Sequence, residues 1–182
     1  MTEISLNILD IVQNSISACA DEIRIEVSED SALNVMDIIV SDNGRGIQAS
    51  VLPTVDDPFT TTRTTRRTGF GLPLLKHHTE LTGGNLNIES SVKGTVVKAR
   101  FGLDHIDRQP VGDIAGVLII LISANPDIEL LYSHKTNRGT YNFSTVEIKN
   151  VLEMDKLNDH TLLEAMREMI RTNLENISAS VS

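Results

Sequence analysis

The chain has 182 residues, 40% hydrophobic and 3% aromatic, enough for one domain with an aliphatic core and a small appended subdomain. Its net charge of −9 argues against nucleic acid as the main partner, because phosphate backbones call for a basic surface. A lone cysteine rules out an intrachain disulfide framework and fits a reducing cytoplasm. The first residues lack the basic-then-apolar pattern of a secretion signal. Ile4, Ile8, Ile11 or Val12, and Ile16 recur at helical spacing, which predicts a helix over 3–18 with one apolar stripe. Asp10 and Asn14, at i and i+4, project from one face that this stripe only partly overlaps. Cys19, between Ala18 and Ala20, is expected to be a small buried thiol.

Ile23, Ile25 and Val27 alternate with Arg24 and Glu26, a half-exposed strand from Glu22 to Ser28. Glu29-Asp30-Ser31 reads as the turn after it. Met36 to Ser41 is a buried strand by its apolar, β-branched content, and it runs into Asp42-Asn43-Gly44-Arg45-Gly46-Ile47. At the strand end the Asp42 carboxylate can accept a hydrogen bond from an amine such as that of adenine. Gly44 and Gly46 add little bulk, so a planar ligand can approach the backbone. A short helical piece around Ala49 to Leu52 follows, then Pro53 and Pro58 as breaks. The Thr-rich stretch 56–69, interleaved with Arg63, Arg66 and Arg67, offers hydroxyls and guanidinium groups suited to phosphate oxygens.

Gly69-Phe70-Gly71-Leu72 opens a helix to about Leu81, whose first N–H groups form an anion site; Pro73 is tolerated in the first turn. His77 and His78 point about 100 degrees apart on that helix, poor geometry for a shared metal. Gly83-Gly84 ends the helix, and Asn85 to Ser90 pairs with Thr95 to Phe101. Asp113 caps an apolar segment through Ser123, whose Val and Ile content allows a strand while its length favours a helix; the run is too short for the ~20 residues of a membrane span. Ile128 to His134 and Thr140 to Phe143 form a hairpin across Asn137-Arg138-Gly139. Ser144-x-x-Glu147 is a capping box for a helix through about Leu152, and Asp159 starts the last helix. The Ser-rich tail from Asn176 is expected to fray. Gly44-x-Gly46-x-x-Ala49 also fits a dinucleotide fingerprint. That motif needs a helix and a second parallel strand, for which Pro53, Pro58 and the Thr-rich loop leave no room.

Asp10 with Asn14, then Asp42-x-Gly44-x-Gly46, then Gly69-x-Gly71-Leu72, in this order over roughly residues 4 to 101, resemble the nucleotide site of the GHKL (Bergerat-fold) ATPases. That superfamily holds gyrase, the ATP-dependent chaperone, histidine kinases and MutL. Asn14-Ser15-Ile16 leading into Arg24 to Val27 looks MutL-like, whereas Asp57-Pro58-Phe59-Thr60 and Gly69-Phe70-Gly71-Leu72 look like the histidine-kinase branch. The resemblance implies an α/β sandwich, with helices on one face of a mixed, mostly antiparallel sheet and Mg-ATP held between helices and a lid at 56–69. It implies nucleotide contacts from Asp42, Gly44, Gly46, Ile47, Gly69, Gly71 and Leu72, with Arg63 first among the lid cations and Gly94-Thr95 as the last site element. Asn14 would offer its amide oxygen to Mg²⁺. Asp10 falls where members that hydrolyse ATP carry a Glu as general base; one methylene shorter, it favours binding over hydrolysis.

Residues 1–102 then form the nucleotide-binding domain, and 103–182 a C-terminal extension of helix, hairpin and helices packed on it or forming a dimer contact. No phospho-acceptor hairpin precedes Asp10. The expectation is a stand-alone, cytoplasmic kinase-like regulator, similar in kind to the small anti-sigma serine kinases, acting on Ser or His of a partner protein. An ATP-gated binding protein with slow or no hydrolysis stays open, as does a homodimer.

Overall fold

The computed structural model describes residues 3–48, 50, 52 and 71–180. Eleven elements follow one another among them: α1 (Ile4–Ser17), β1 (Glu22–Asp30), β2 (Val35–Asp42), α2 (Gly71–Leu81), β3 (Asn85–Ser91), β4 (Gly94–Gly102), α3 (Ile114–Ala124), β5 (Glu129–Thr136), β6 (Gly139–Ser144), α4 (Thr145–Leu152) and α5 (His160–Asn176). The strands form one sheet in the order β3-β4-β2-β1-β5-β6. Every neighbouring pair is antiparallel except β1 and β5, which run parallel. The expected α/β sandwich with a mixed, mostly antiparallel sheet is the fold found.

Alternation decides which face is covered, because successive side chains of a strand point to opposite sides. Ile25 pairs with Val40 on β2 and with Tyr132 on β5, and Val40 pairs with Val97 on β4. All four are buried, as are Ile23, Ile38, Met36, Phe101 and Leu130 in the same inward rows. The opposite face carries polar groups such as Asp37 and Arg100, whose guanidinium forks onto the carboxylate at 2.6 and 2.8 Å. Onto the inward face α1 lays Ile4, Ile8, Ile11 and Val12, the stripe that its sequence spacing predicts.

Helix α3 packs against both α1 and α5, which explains why Ile114, Val117, Leu118, Leu121 and Ile122 are all buried. Each such side chain contributes roughly 1.5–3 kcal/mol by leaving water. Asp113 caps α3 by accepting from Gly116 N at 2.7 Å, and its other oxygen takes Arg167 of α5, also at 2.7 Å. Helix α5 turns Leu163, Met166, Ile170 and Leu174 inward and is capped by Asp159. Ser144 caps α4 as the capping box predicts, accepting from Glu147 N. Behind that cap Thr145 is buried, its hydroxyl accepting from Leu130 N at 2.9 Å.

Three expectations are corrected. Strand β1 continues through Glu29 and Asp30, and the turn comes after it. The reason is local: Asp30 Oδ1 accepts from Ala32 N and Leu33 N at 2.9 and 3.0 Å, an Asx turn that starts later than the sequence suggests. Cys19 is exposed; it sits with φ +61° in the turn after α1, which points it outward while Ala20 goes in. The tail beyond Asn176 is docked as far as Ser180. Thr136 donates its hydroxyl to Ile177 O at 2.6 Å, and Ser180 N donates to Glu29 Oε1 at 2.8 Å.

Glu29 thereby ends a buried polar chain. Tyr132 Oη lies 2.7 Å from His134 Nδ1, and His134 Nε2 lies 2.7 Å from Glu29 Oε1. Burial pushes the Glu29 carboxyl up, but the bonds from His134 and Ser180 outweigh it and hold the group below its usual range. Burial also pushes the Tyr132 hydroxyl well above its usual range.

Candidate functional site

The end of β2 carries the site. Asp42 shares the inward row of β2, so its carboxylate lies under α1 and beside the start of β4, where Thr95 is its register partner. Oδ2 accepts from the Ser15 hydroxyl at 2.6 Å; Oδ1 accepts from Gly44 N at 2.9 Å and Thr95 N at 3.2 Å. Three donors on two oxygens leave room for one more on a carboxylate with about four acceptor sites.

The glycine loop is fixed by close backbone approach. A side chain on Gly44 would start 2.9 Å from Ala18 O, and Arg45 N donates to that same oxygen at 2.9 Å. Gly46 has φ +70°, and a Cβ there would lie 1.8 Å from Ser91 O, so only glycine fits. Ile47 N then donates to Ser90 Oγ at 2.8 Å, which is 2.9 Å from Thr95 Oγ1. One side of the loop is thus tied to the end of α1 and the other to the β3–β4 hairpin. Asn43 clamps its base: the side-chain oxygen accepts from Asp21 N and Glu22 N at 3.0 and 3.1 Å.

Asp10 and Asn14 sit one turn apart on α1, both partly buried. A Cβ on Gly71 would lie 1.6 Å from Asp10 Oδ2, so the Asp10 carboxylate rests against the first turn of α2. Leu72, in that turn, packs on the core. The structure therefore brings together Asp10, Gly71 and Leu72 on one side, and Asp42, Gly44, Gly46, Ile47 and Thr95 on the other, with Asn14 on the helix between. Arg63, Gly69 and the rest of the Thr-rich stretch lie outside the described residues. Among the described residues no group of three His, Cys, Asp or Glu could hold a metal. Burial, with His77 adding to it, pushes the His78 imidazole down.

Two members of this arrangement escaped the sequence reading. Ser15 follows Ile4, Ile8, Ile11 and Val12 at helical spacing, so it belongs to the buried stripe, and a buried hydroxyl there needs a partner. Ser90 carries a weaker signal, being one of two serines at the end of an edge strand.

A carboxylate at a strand end, a glycine loop crossing beneath one helix and a second helix starting opposite it together define an ATP-binding domain of the GHKL type. The profile of the histidine kinase-, DNA gyrase B- and HSP90-like ATPases matches residues 2–105, and the chain belongs to that family. It is 38% identical over 58 residues to the sensor protein kinase FleS of Pseudomonas aeruginosa, covering 32% of this chain and 14% of that one. Over 103 residues it is 30% identical to a protein described as a sensor from Shewanella frigidimarina, covering 55% and 16%. The chain thus spans less than a fifth of either relative.

Among solved structures it superposes on the N-terminal domain of a DNA repair protein with a TM-score of 0.52 at 20% identity, covering 80% of this chain and 53% of that one. The Aquifex aeolicus MutL ATPase domain complexed with ADP gives 0.50 at 14% identity, covering 85% and 70%. These likenesses show the fold. No helix among the described residues is long and apolar enough to cross a membrane.

Proposed function

We propose that this chain binds Mg-ATP at the end of β2 and acts on a partner protein, as a histidine-kinase-like or serine-kinase-like regulator. The observation that carries the nucleotide reading is the Asp42 carboxylate, with three protein donors and one acceptor position left. That position suits the amino group of adenine, and Ser15, Gly44 and Thr95 hold the carboxylate still to receive it. Gly44, Gly46 and Ile47 shape the edge of the base pocket, and Thr95 closes it from β4. Asn14 supplies an oxygen of the kind Mg²⁺ takes, Gly71 and Leu72 set the phosphate end at α2, and the family resemblance assigns Gly69 and Arg63 to the same end. Bound Mg-ATP supplies a transferable phosphoryl group. The relationship to a sensor protein kinase supports transfer to another protein.

Slow or absent hydrolysis is the second reading, and one contact favours it. The Asp10 carboxylate rests against Gly71 at the start of α2, and it is one methylene shorter than the Glu that serves as general base in family members that hydrolyse ATP.

Asp42→Asn tests the first reading. It should cost on the order of 1.5–3 kcal/mol of ATP affinity by calorimetry, the scale of a charged hydrogen bond. Unchanged ATP affinity, or equal affinity of the parent for GTP, would contradict it. Label from γ-labelled ATP appearing on another protein separates the kinase from the gated binder.

A further inference from the structure

The sheet ends on β6, and beside that edge α4 and α5 leave an apolar cleft of about 440 Å³. Tyr141 and Phe143 of β6 form its floor, Ile148 and Val151 one wall, Leu162 and Met169 the other. Val151 is 79% exposed and Met169 41%, so the cleft leaves apolar side chains in contact with water.

Charge discriminates between occupants. Glu147 is the charged side chain lining the cleft, and it enters no ion pair among the described residues. Every lysine and arginine between 144 and 180, a stretch described throughout, is already engaged. Lys149 donates to Pro126 O at 2.9 Å, Lys156 meets Asp127 at 2.8 Å, and Arg167 and Arg171 meet Asp113 and Glu168, each at 2.7 Å. A second copy seated here by two-fold symmetry would bring another Glu147, and from this region no lysine or arginine without a partner of its own, between chains of net charge −9. Two helical walls offer ridges and grooves that a third helix fits.

We infer that this cleft docks an amphipathic helix of another protein, with apolar residues at i, i+3 or i+4, and i+7 and a Lys or Arg that meets Glu147. The inference rests on the proposed action upon a partner protein and specifies that partner's chemistry. Two strands, β1 and β5, separate β6 from β2 in the sheet, so the docked helix leaves the Asp42 loop open.

The probe is a fluorescein-labelled 18-residue helix of Leu and Lys, with Leu at those spacings. It is compared with a Leu/Glu counterpart and with a Leu/Lys scramble that has no apolar face. Anisotropy with the full chain at physiological salt should show binding of the Leu/Lys helix, with the other two weaker by about tenfold or more. Glu147→Lys should weaken the Leu/Lys helix about fivefold and strengthen the Leu/Glu one. Val151→Asp and Met169→Asp should each lose about thirtyfold or more, with circular dichroism unchanged. Equal binding of the scramble would reduce the effect to attraction by an acidic protein and overturn the inference. So would indifference to Val151→Asp and Met169→Asp, or a dimer by light scattering that Val151→Asp dissociates. ATP affinity is measured on the same samples. Intact ATP binding with no peptide effect sinks the cleft alone, and lost ATP binding in the parent sinks the nucleotide reading alone.

Discussion

A single methyl group is the sharpest probe of the glycine loop. Gly46→Ala must hold φ +70° and find space where Ser91 O already lies 1.8 Å from the added atom. A left-handed non-glycine residue alone costs roughly 1–2 kcal/mol, so this change is expected to destabilise the protein by more than about 2 kcal/mol in urea denaturation. Ser15→Ala is a milder cut. It removes the donor 2.6 Å from Asp42 Oδ2, costing about 1–3 kcal/mol, and the freed carboxylate should bind ATP more weakly by calorimetry. Asp42, Gly44 and Gly46 were legible because their arrangement is local and compressed into five residues. Ser15 was not, since its partner is 27 residues away and a serine in an apolar stripe does not announce which strand end lies opposite. Cys19 misled for a related reason: small neighbours suggest burial, but a left-handed turn reverses the direction of the side chain.

At the level of elements, the Glu29–His134 contact ties β1 to β5 and to the C-terminal tail. The Glu29 carboxyl titrates below its ordinary value of 4.5 in the folded state. Its contribution to stability is therefore complete above that value and is lost as pH falls through the lower folded-state value. Urea midpoints measured from pH 7 down to pH 3 should fall below about pH 4.5 by more in the parent than in Glu29→Gln. The same acid range should release the tail, seen as faster hydrogen exchange at Ser180, whose N–H bonds to Glu29. Helices and most strands were legible from periodicity and caps: Asp113, Ser144 and Asp159 each accept the bond their position predicts. The docked tail was illegible because serines near a terminus read as solvent-loving. What holds them is a buried carboxylate 151 residues earlier.

For the whole molecule, the sheet is continuous from β3 to β6, and one buried cluster runs from Ile4 to Leu174. A chain ending at Gly102 would lose β5, α3 and α5, leaving the parallel edge of β1 without its partner and the buried side of the sheet with α1 and α2 alone. It is expected to aggregate on expression, and a soluble, folded product by circular dichroism would contradict that. The mixed sheet was legible in outline, but strand order was not. Periodicity tells which face of a strand is buried and says nothing about which neighbour buries it. The parallel pairing of β1 with β5 also has a consequence during synthesis. Ile25 meets Tyr132, and a ribosome adding about 5–20 residues each second needs roughly 5–20 s to make the intervening chain. For that interval the nascent central strand has only its β2 neighbour and, later, β4 beyond it. Any cellular helper that shields unfinished edges has its work on this protein concentrated in those seconds, and a slow codon between residues 102 and 129 would lengthen the exposure without changing one amino acid.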